Sequence, residues 1–109
     1  MQRHQRIDER NLFLAQAVVR LIDADPAHAG LERARTTCAR WLGREGAEAD
    51  LRLWAGLLTH EWIQIRTALL DPSPYGVQLR QSSPFTGILS QEERSTIFAR
   101  FSTDDQARD

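Results

Sequence analysis

The chain has 109 residues, 14 of them basic and 15 acidic, so its formal net charge is −1 and no overall field draws it to nucleic acid or anionic lipid. This length and the 41% hydrophobic content suit one ordinary globular core, and they exclude two cores and general disorder. A single cysteine excludes an intramolecular disulfide, and no apolar run resembles a signal peptide or a membrane span. We therefore expect a cytoplasmic protein.

The first half of the sequence predicts two amphipathic helices. The first covers 8–24, where apolar side chains recur at helical spacing, namely Leu14, Val18, Leu21 and Ile22. Asp25 and Pro26 predict a second helix over 26–42, because aspartate accepts hydrogen bonds from a helix start and proline is tolerated at the first position. Its apolar line is Ala27, Leu31, Ala34, Cys38, Trp41 and Leu42.

Four shorter helices are predicted in the second half. The third helix is marked by Leu51, Trp54, Leu57 and Leu58. Cap signals mark the others: Thr59 for a fourth over 59–70, Ser73 with Pro74 for a fifth over 74–81, and Ser90 with Glu93 for a last helix that frays after Ser102.

Five or six short helices without strand-like alternation predict an all-α fold, a compact helical bundle. We expect a single helical domain over 8–101, a flexible N-terminal arm at 1–7 and a disordered polar tail at 102–109. The predicted buried residues are Leu14, Val18, Leu21, Leu31, Ala34, Cys38, Trp41, Trp54, Leu58, Leu69 and Ile97.

No residue pattern points to catalysis. Cys38 lies on an apolar helix face, which favours a packed thiol over a nucleophile. His4, His28 and His60 are isolated from one another. None of them has a second histidine or a cysteine at the short spacing that a zinc site requires. The glycines are scattered and form no phosphate-binding loop. The sequence therefore predicts a protein that is not an enzyme, with no metal and no cofactor.

The sharpest surface pattern is an arginine stripe on the second helix, formed by Arg33, Arg40 and Arg44. At about 100° per residue the three side chains align, with Thr37 between them, opposite the apolar line. Three guanidiniums in a row can pair with carboxylates of a protein or with phosphates of a nucleic acid. The alternative is an ordinary solvated helix face.

A second candidate surface is the segment LRQSSPF at 79–85. We expect Arg80 and Gln81 to remain outside, while Phe85 folds inward as a lid on the core. The predicted partner-binding set is the arginine stripe together with Arg80, Gln81 and Phe85.

Phe13 lies away from the main apolar line of the first helix and forms a second apolar face with Ala17. An exposed aromatic residue beside a small one can seed a contact between two copies of the chain, so one expectation is a homodimer through Phe13. The alternative is that Phe13 plugs the bundle from a second direction.

The segment LRQSSPF, followed by Gly87, Leu89 and the pair Glu93–Arg94, resembles the end of short, arginine-rich bacterial helical proteins whose beginning also has an aspartate–proline helix start. The resemblance spans about residues 10–101. Some of those proteins resemble antitoxin components, which act by covering a toxin encoded beside them. This chain departs from the well-known antitoxin classes because it has neither a clear DNA-binding domain nor a long acidic tail.

The resulting expectation is a non-enzymatic protein that binds another protein, such as the product of a neighbouring gene, as an antitoxin does. The rival is a small nucleic-acid-binding regulator that uses the arginine stripe. Specific DNA binding by the isolated protein is not expected, because the predicted fourth and fifth helices carry one arginine each, Arg66 and Arg80.

Overall fold

The computed structural model describes residues 3–44 and 49–106, which form six α-helices and one short 3-10 turn. The helices are α1 (Arg3–Asp23), α2 (Ala29–Leu42), α3 (Ala49–Leu57), α4 (Trp62–Leu69), α5 (Pro74–Gln81) and α6 (Gln91–Gln106), and the 3-10 turn is Thr86–Ile88. These ranges contain no strand, so the predicted all-α bundle is confirmed. None of the described helices combines the length and apolarity needed to cross a bilayer.

The longest helix, α1, lies at the centre of the bundle. It packs against α2, α5, α6 and the 3-10 turn, while α3 packs against α2 and α5, and α4 against α5. Because α1 is contacted from several directions, it buries two neighbouring faces instead of one. Residues that lie beside its main apolar line are therefore also buried, namely Ala15, Ala17 and Val19.

Two aromatic residues fill the middle of the core. The rings of Trp54 and Phe85 meet edge to face with their centroids 5.5 Å apart, and both side chains are fully buried. The Nε1 of Trp54 donates a hydrogen bond to the carbonyl of Leu79 at 2.9 Å, so the one polar atom of this ring is satisfied. The predicted inward placement of Phe85 is confirmed.

Most of the predicted core is buried, but Leu21 was predicted wrongly. Its side chain is 44% exposed, because α1 turns the residues Val18 and Ile22 inward and places Leu21 about 100° away from Ile22. Trp41 and Ile97 are half-buried. The confirmed buried residues are Leu14, Val18, Leu31, Ala34, Cys38, Trp54, Leu58 and Leu69.

Two helices begin later than predicted. The residue before α2 is His28, which has a left-handed backbone (φ 51°, ψ 44°). Asp25 accepts hydrogen bonds from the backbone N–H groups of Ala27 and Ala29, at 3.0 and 2.9 Å, so it holds a turn that precedes the helix. Likewise, the hydroxyl of Thr59 donates to the carbonyl of Gly56 at 2.7 Å and does not cap α4, which begins at Trp62.

Both terminal helices are longer than predicted. The first helix begins at Arg3 and the last continues to Gln106, since no glycine or proline interrupts the chain at either place. The predicted arm at 1–7 and tail at 102–109 therefore overlap helix at 3–7 and 102–106. The remaining residues, 1–2 and 107–109, lie outside the described part of the chain.

The second apolar face of α1 is covered by α6. The rings of Phe13 and Phe101 meet at 5.5 Å, and the Arg100 guanidinium lies over the Phe13 ring at 4.8 Å. In return, Arg10 of α1 stacks on Phe98 of α6 at 4.6 Å. Phe13 thus plugs the bundle from its second side, and the homodimer through this residue stays an untested prediction.

Candidate functional site

The arginine stripe lies on the outer face of α2. Arg33 and Arg40 are exposed, while Ala34 and Cys38 on the opposite side of the helix are buried. Arg44 follows the helix, but Gly43 keeps a helical backbone (φ −74°, ψ −8°), so Arg44 continues the row. At 1.5 Å per residue the stripe runs along about 16 Å of the helix axis.

Two of the three guanidiniums in the stripe are uncommitted. Arg33 donates one hydrogen bond to the carbonyl of Gly87 at 3.3 Å. Arg40 and Arg44 have no hydrogen-bond or ion-pair partner among residues 3–44 and 49–106. The stripe is therefore a row of exposed cations that the fold itself does not use, apart from the tether of Arg33.

Arg35 lies on another face of α2 and, unlike Arg40 and Arg44, bonds to other parts of the fold. It donates to the carbonyls of Leu58 at 2.9 Å and His60 at 3.3 Å, and it pairs with Glu32. These bonds attach α2 to the end of α3. Arg35 is thus a structural residue, although in the sequence it looks like the other arginines.

The expectation that Arg80 remains outside is wrong. Its side chain is only 7% exposed, and its Nη1 donates to the carbonyls of Leu69 at 2.9 Å and Asp71 at 2.8 Å. Desolvation lowers the pKa of the Arg80 guanidinium, with the nearby Asp71 acting in the opposite direction. Arg80 therefore holds the end of α4 and the turn that follows, and it cannot meet a partner.

The same turn explains why Arg80 is drawn inward. At Gly76 a Cβ atom would lie 1.9 Å from the carbonyl oxygen of Asp71, so only glycine allows α5 to approach the turn this closely. The carbonyls of Leu69 and Asp71 lie beside α5 here, and Arg80 donates hydrogen bonds to both. No spacing signal in the sequence distinguishes this arginine from an exposed one.

Of the other predicted residues in the LRQSSPF segment, Gln81 is exposed and Phe85 is fully buried. Phe85 belongs to the core, so two members of the predicted partner-binding set, Phe85 and Arg80, are buried. The accessible members of that set are Arg33, Arg40, Arg44 and Gln81.

Several residues that carry the resemblance to small bacterial helical proteins have structural explanations. Leu79, Phe85 and Leu89 are core residues, and the hydroxyl of Ser83 accepts a hydrogen bond from the backbone N–H of Phe85 at 3.1 Å. Ser90 accepts from the backbone N–H of Glu93 at 3.0 Å and caps α6, as predicted. This pattern describes how the chain folds and leaves its binding surface unspecified.

Sequence reasoning missed an apolar groove between α2 and α3. The groove has a volume of about 390 Å³. It is lined by Arg35, Cys38, Ala39, Leu42, Ala55, Leu58 and Thr59.

The thiol of Cys38 lies at the floor of the groove, 3.7 Å from the carbonyl oxygen of Leu51, and burial raises the pKa of this thiol. A raised pKa disfavours the thiolate that a nucleophile requires.

Two other polar features have structural roles. Asp23 accepts hydrogen bonds from Trp62 Nε1 at 2.8 Å and from Arg66 Nε at 3.0 Å, which joins α1 to α4. The hydrogen bond from Trp62 is the largest cause that lowers the pKa of Asp23, and the bond from Arg66 is the next largest.

In the described part of the chain no three His, Cys, Asp or Glu side chains are grouped so that they could hold a metal ion.

Comparison with known proteins adds no functional assignment. No family model matches the sequence, and no curated protein and no solved structure matches it significantly. The surface of the bundle and the residues displayed there are therefore what indicates its function.

Proposed function

We propose that this chain is a non-enzymatic protein-binding protein of the bacterial cytoplasm and that its partner docks on the outer face of α2. The observation that carries the proposal is the arginine stripe, since Arg40 and Arg44 are exposed and make no bond that the fold needs. Arginine is enriched at protein interfaces because its stem buries apolar area while its planar fork makes directional hydrogen bonds.

A half-buried tryptophan lies beside the stripe and strengthens the proposal. On a helical projection Trp41 lies about 40° from Thr37, between the stripe and the buried side of α2. Trp41 is half-buried and, among the described residues, is neither in the core cluster nor one of the partly buried side chains packed against it. Tryptophan and arginine are the residue types that most often dominate binding energy at protein interfaces.

The kind of partner that we propose is a toxin, which the chain would cover as an antitoxin does. This part of the proposal is supported by the resemblance of 79–94 to small bacterial proteins, and it makes the product of a neighbouring gene the first candidate. A carboxylate-bearing surface on that product would pair with the stripe.

The rival function, nucleic-acid binding, uses the same stripe but receives less support. The helix pair α4 and α5 has the lengths of a helix-turn-helix, yet Arg66 is engaged with Asp23 and Arg80 is buried. Neither side chain is free to reach a base edge or a phosphate. Only the stripe remains for this function, and a row of three cations on a protein of net charge −1 gives weak, salt-sensitive binding.

The test is a titration of the purified protein with the neighbouring gene product, followed by calorimetry. We expect a stable complex whose affinity falls about tenfold or more in the double variant Arg40→Ala, Arg44→Ala. The matched control is Arg20→Ala, Arg52→Ala, which removes two exposed arginines without bonding partners from α1 and α3 and should leave the affinity unchanged.

Melting temperatures of both double variants are measured first, so that loss of folding is not mistaken for loss of binding. If neither the neighbouring product nor a co-purifying protein binds, the proposal fails. If promoter DNA binds instead, with an affinity that falls steeply with salt and is lost in the Arg40, Arg44 double variant, the rival replaces it.

A further inference from the structure

We infer that a small enclosed cavity between α1, α5 and the 3-10 turn binds a single water molecule, which links these three parts of the fold. The inference concerns the interior of the bundle and goes beyond the proposed function. The cavity lies where α1 packs against both α5 and the 3-10 turn. It is lined by Asn11, Leu14, Ala15, Val18, Arg80, Ser83 and Thr86.

A buried donor beside this cavity has no hydrogen-bond partner. Arg80 is only 7% exposed, and its Nη1 donates to the carbonyls of Leu69 and Asp71. Its Nε is buried as well but has no acceptor among the described residues. A buried N–H group without an acceptor is destabilising, so native proteins pair such groups with protein atoms or with ordered water. A water molecule in the cavity that Arg80 lines supplies the missing acceptor.

Three further polar side chains line the cavity and can hold the same water. The side chains of Asn11 and Thr86 make no hydrogen bond within the described ranges. The hydroxyl of Ser83 accepts a hydrogen bond from the backbone N–H of Phe85, which leaves its own hydrogen free to donate. A buried water is typically held by about three polar partners, and these side chains together with Arg80 provide them.

The size and charge of the cavity favour water over an ion. Its volume of about 10 Å³ is close to the smallest that holds one water molecule, and it leaves no space for a second. Desolvation lowers the pKa of the Arg80 guanidinium, and the carboxylates of Asp71 and Asp8 act in the opposite direction, so its charge already has counterparts. A neutral molecule that both donates and accepts hydrogen bonds therefore suits the site better than chloride does.

The test is relaxation dispersion of isotopically labelled water oxygen, which detects water molecules held inside a protein and is not affected by the exchange of hydroxyl protons. Two variants act at Ala15, which is buried and lines the cavity from α1. Ala15→Val fills the cavity with methyl groups, and Ala15→Ser places a hydroxyl in the space of the water. We expect each variant to hold one long-lived water fewer than the parent protein.

The matched controls are Ala99→Val and Ala99→Ser, which make the same changes at an exposed position of α6 and should keep the relaxation signal of the parent. Circular dichroism checks that the variants are folded, and Ala15→Ser decides the comparison if Ala15→Val is not. Where both fold, Ala15→Ser should melt at a higher temperature than Ala15→Val, since only the serine hydroxyl can replace hydrogen bonds of the displaced water.

Two outcomes overturn the inference. If the parent and Ala15→Ser give the same relaxation signal, no long-lived water occupies the cavity. If the parent protein broadens the magnetic resonance of chloride and Ala15→Ser abolishes that broadening, the ligand of the cavity is an anion. Neither outcome affects the proposed function, whose test is the binding of the neighbouring gene product through the exposed arginines of α2.

Discussion

Arg80 and Arg40 each lie in the last turn of a short helix, yet their surroundings are opposite. Arg80 is buried and donates to two backbone carbonyls, whereas Arg40 is exposed and has no bonding partner among the described residues. The difference comes from the neighbouring turn, where α5 approaches Asp71 so closely that its carbonyl needs a donor. Arg80 therefore serves folding, whereas Arg40 remains available for binding.

We therefore expect substitutions of buried residues in the segment 79–85 to cause large losses of stability. Substitutions of the exposed arginines on α2 should cause almost none. The largest effect is expected for Phe85→Ala, since Phe85 is fully buried against Trp54. Removing a buried aromatic ring costs about 3–5 kcal/mol in the free energy of unfolding. Urea denaturation followed by tryptophan fluorescence measures this change.

The control for that prediction is Phe98→Ala on α6. Phe98 is 38% exposed, so its removal should cost about 1 kcal/mol, mainly from its stacking with Arg10. Equal losses in the two variants would show that Phe85 is not a core residue.

The next largest effect is expected for Arg80→Met. Methionine keeps much of the aliphatic volume but leaves the carbonyls of Leu69 and Asp71 without a donor, so we expect a loss of about 2–4 kcal/mol. Thermal denaturation measures it, with Arg44→Met as a matched exposed control that should stay within about 0.5 kcal/mol of the parent. A stable Arg80→Met variant would mean that Arg80 is as dispensable for folding as Arg44.

A smaller, pH-dependent effect is expected at Asp23. Its pKa is lowered in the folded protein, so the ionised carboxylate stabilises the fold above the ordinary aspartate pKa of about 4, and this contribution is lost as the pH falls through the lowered value. The stability difference between the parent and Asp23→Asn should thus be constant near neutral pH and shrink in acid. Urea denaturation at several pH values measures it.

Trp62→Phe provides the control, because it removes the hydrogen bond that lowers the pKa of Asp23 most. In the Trp62→Phe variant, the stability lost through Asp23→Asn should therefore depend less on pH than it does in the parent protein. If the difference between parent and Asp23→Asn does not change with pH, the carboxylate is not stabilised by its contacts with α4.

Much of the fold could be predicted because the helix signals are local. Ser90 caps α6 and Pro74 opens α5, as the short-range chemistry of caps requires, and the apolar spacing placed Trp54 and Leu58 in the core. The ends of α1 and α6 were less well predicted, since no glycine or proline marks them. Leu21 was placed inward because one apolar line was assumed where the fold uses two faces of α1.

The candidate site could be predicted only in part. The alignment of Arg33, Arg40 and Arg44 follows from helical periodicity, and the structure places all three on the surface. The burial of Arg80 depends on the carbonyl groups of a turn nine and eleven residues away, which no spacing rule reveals. The groove was missed for a similar reason, because it exists only where the small residues of α2 and α3 are brought together.

The central claim is that the outer face of α2 binds a protein partner, while the segment 79–85 serves folding. Hydrogen–deuterium exchange of the protein with and without the neighbouring gene product tests it most directly, since it reads both regions in the unaltered chain. The account predicts slower exchange in 29–44 on binding and unchanged exchange in 79–85. Slower exchange confined to 79–85, with α2 unaffected, would contradict it.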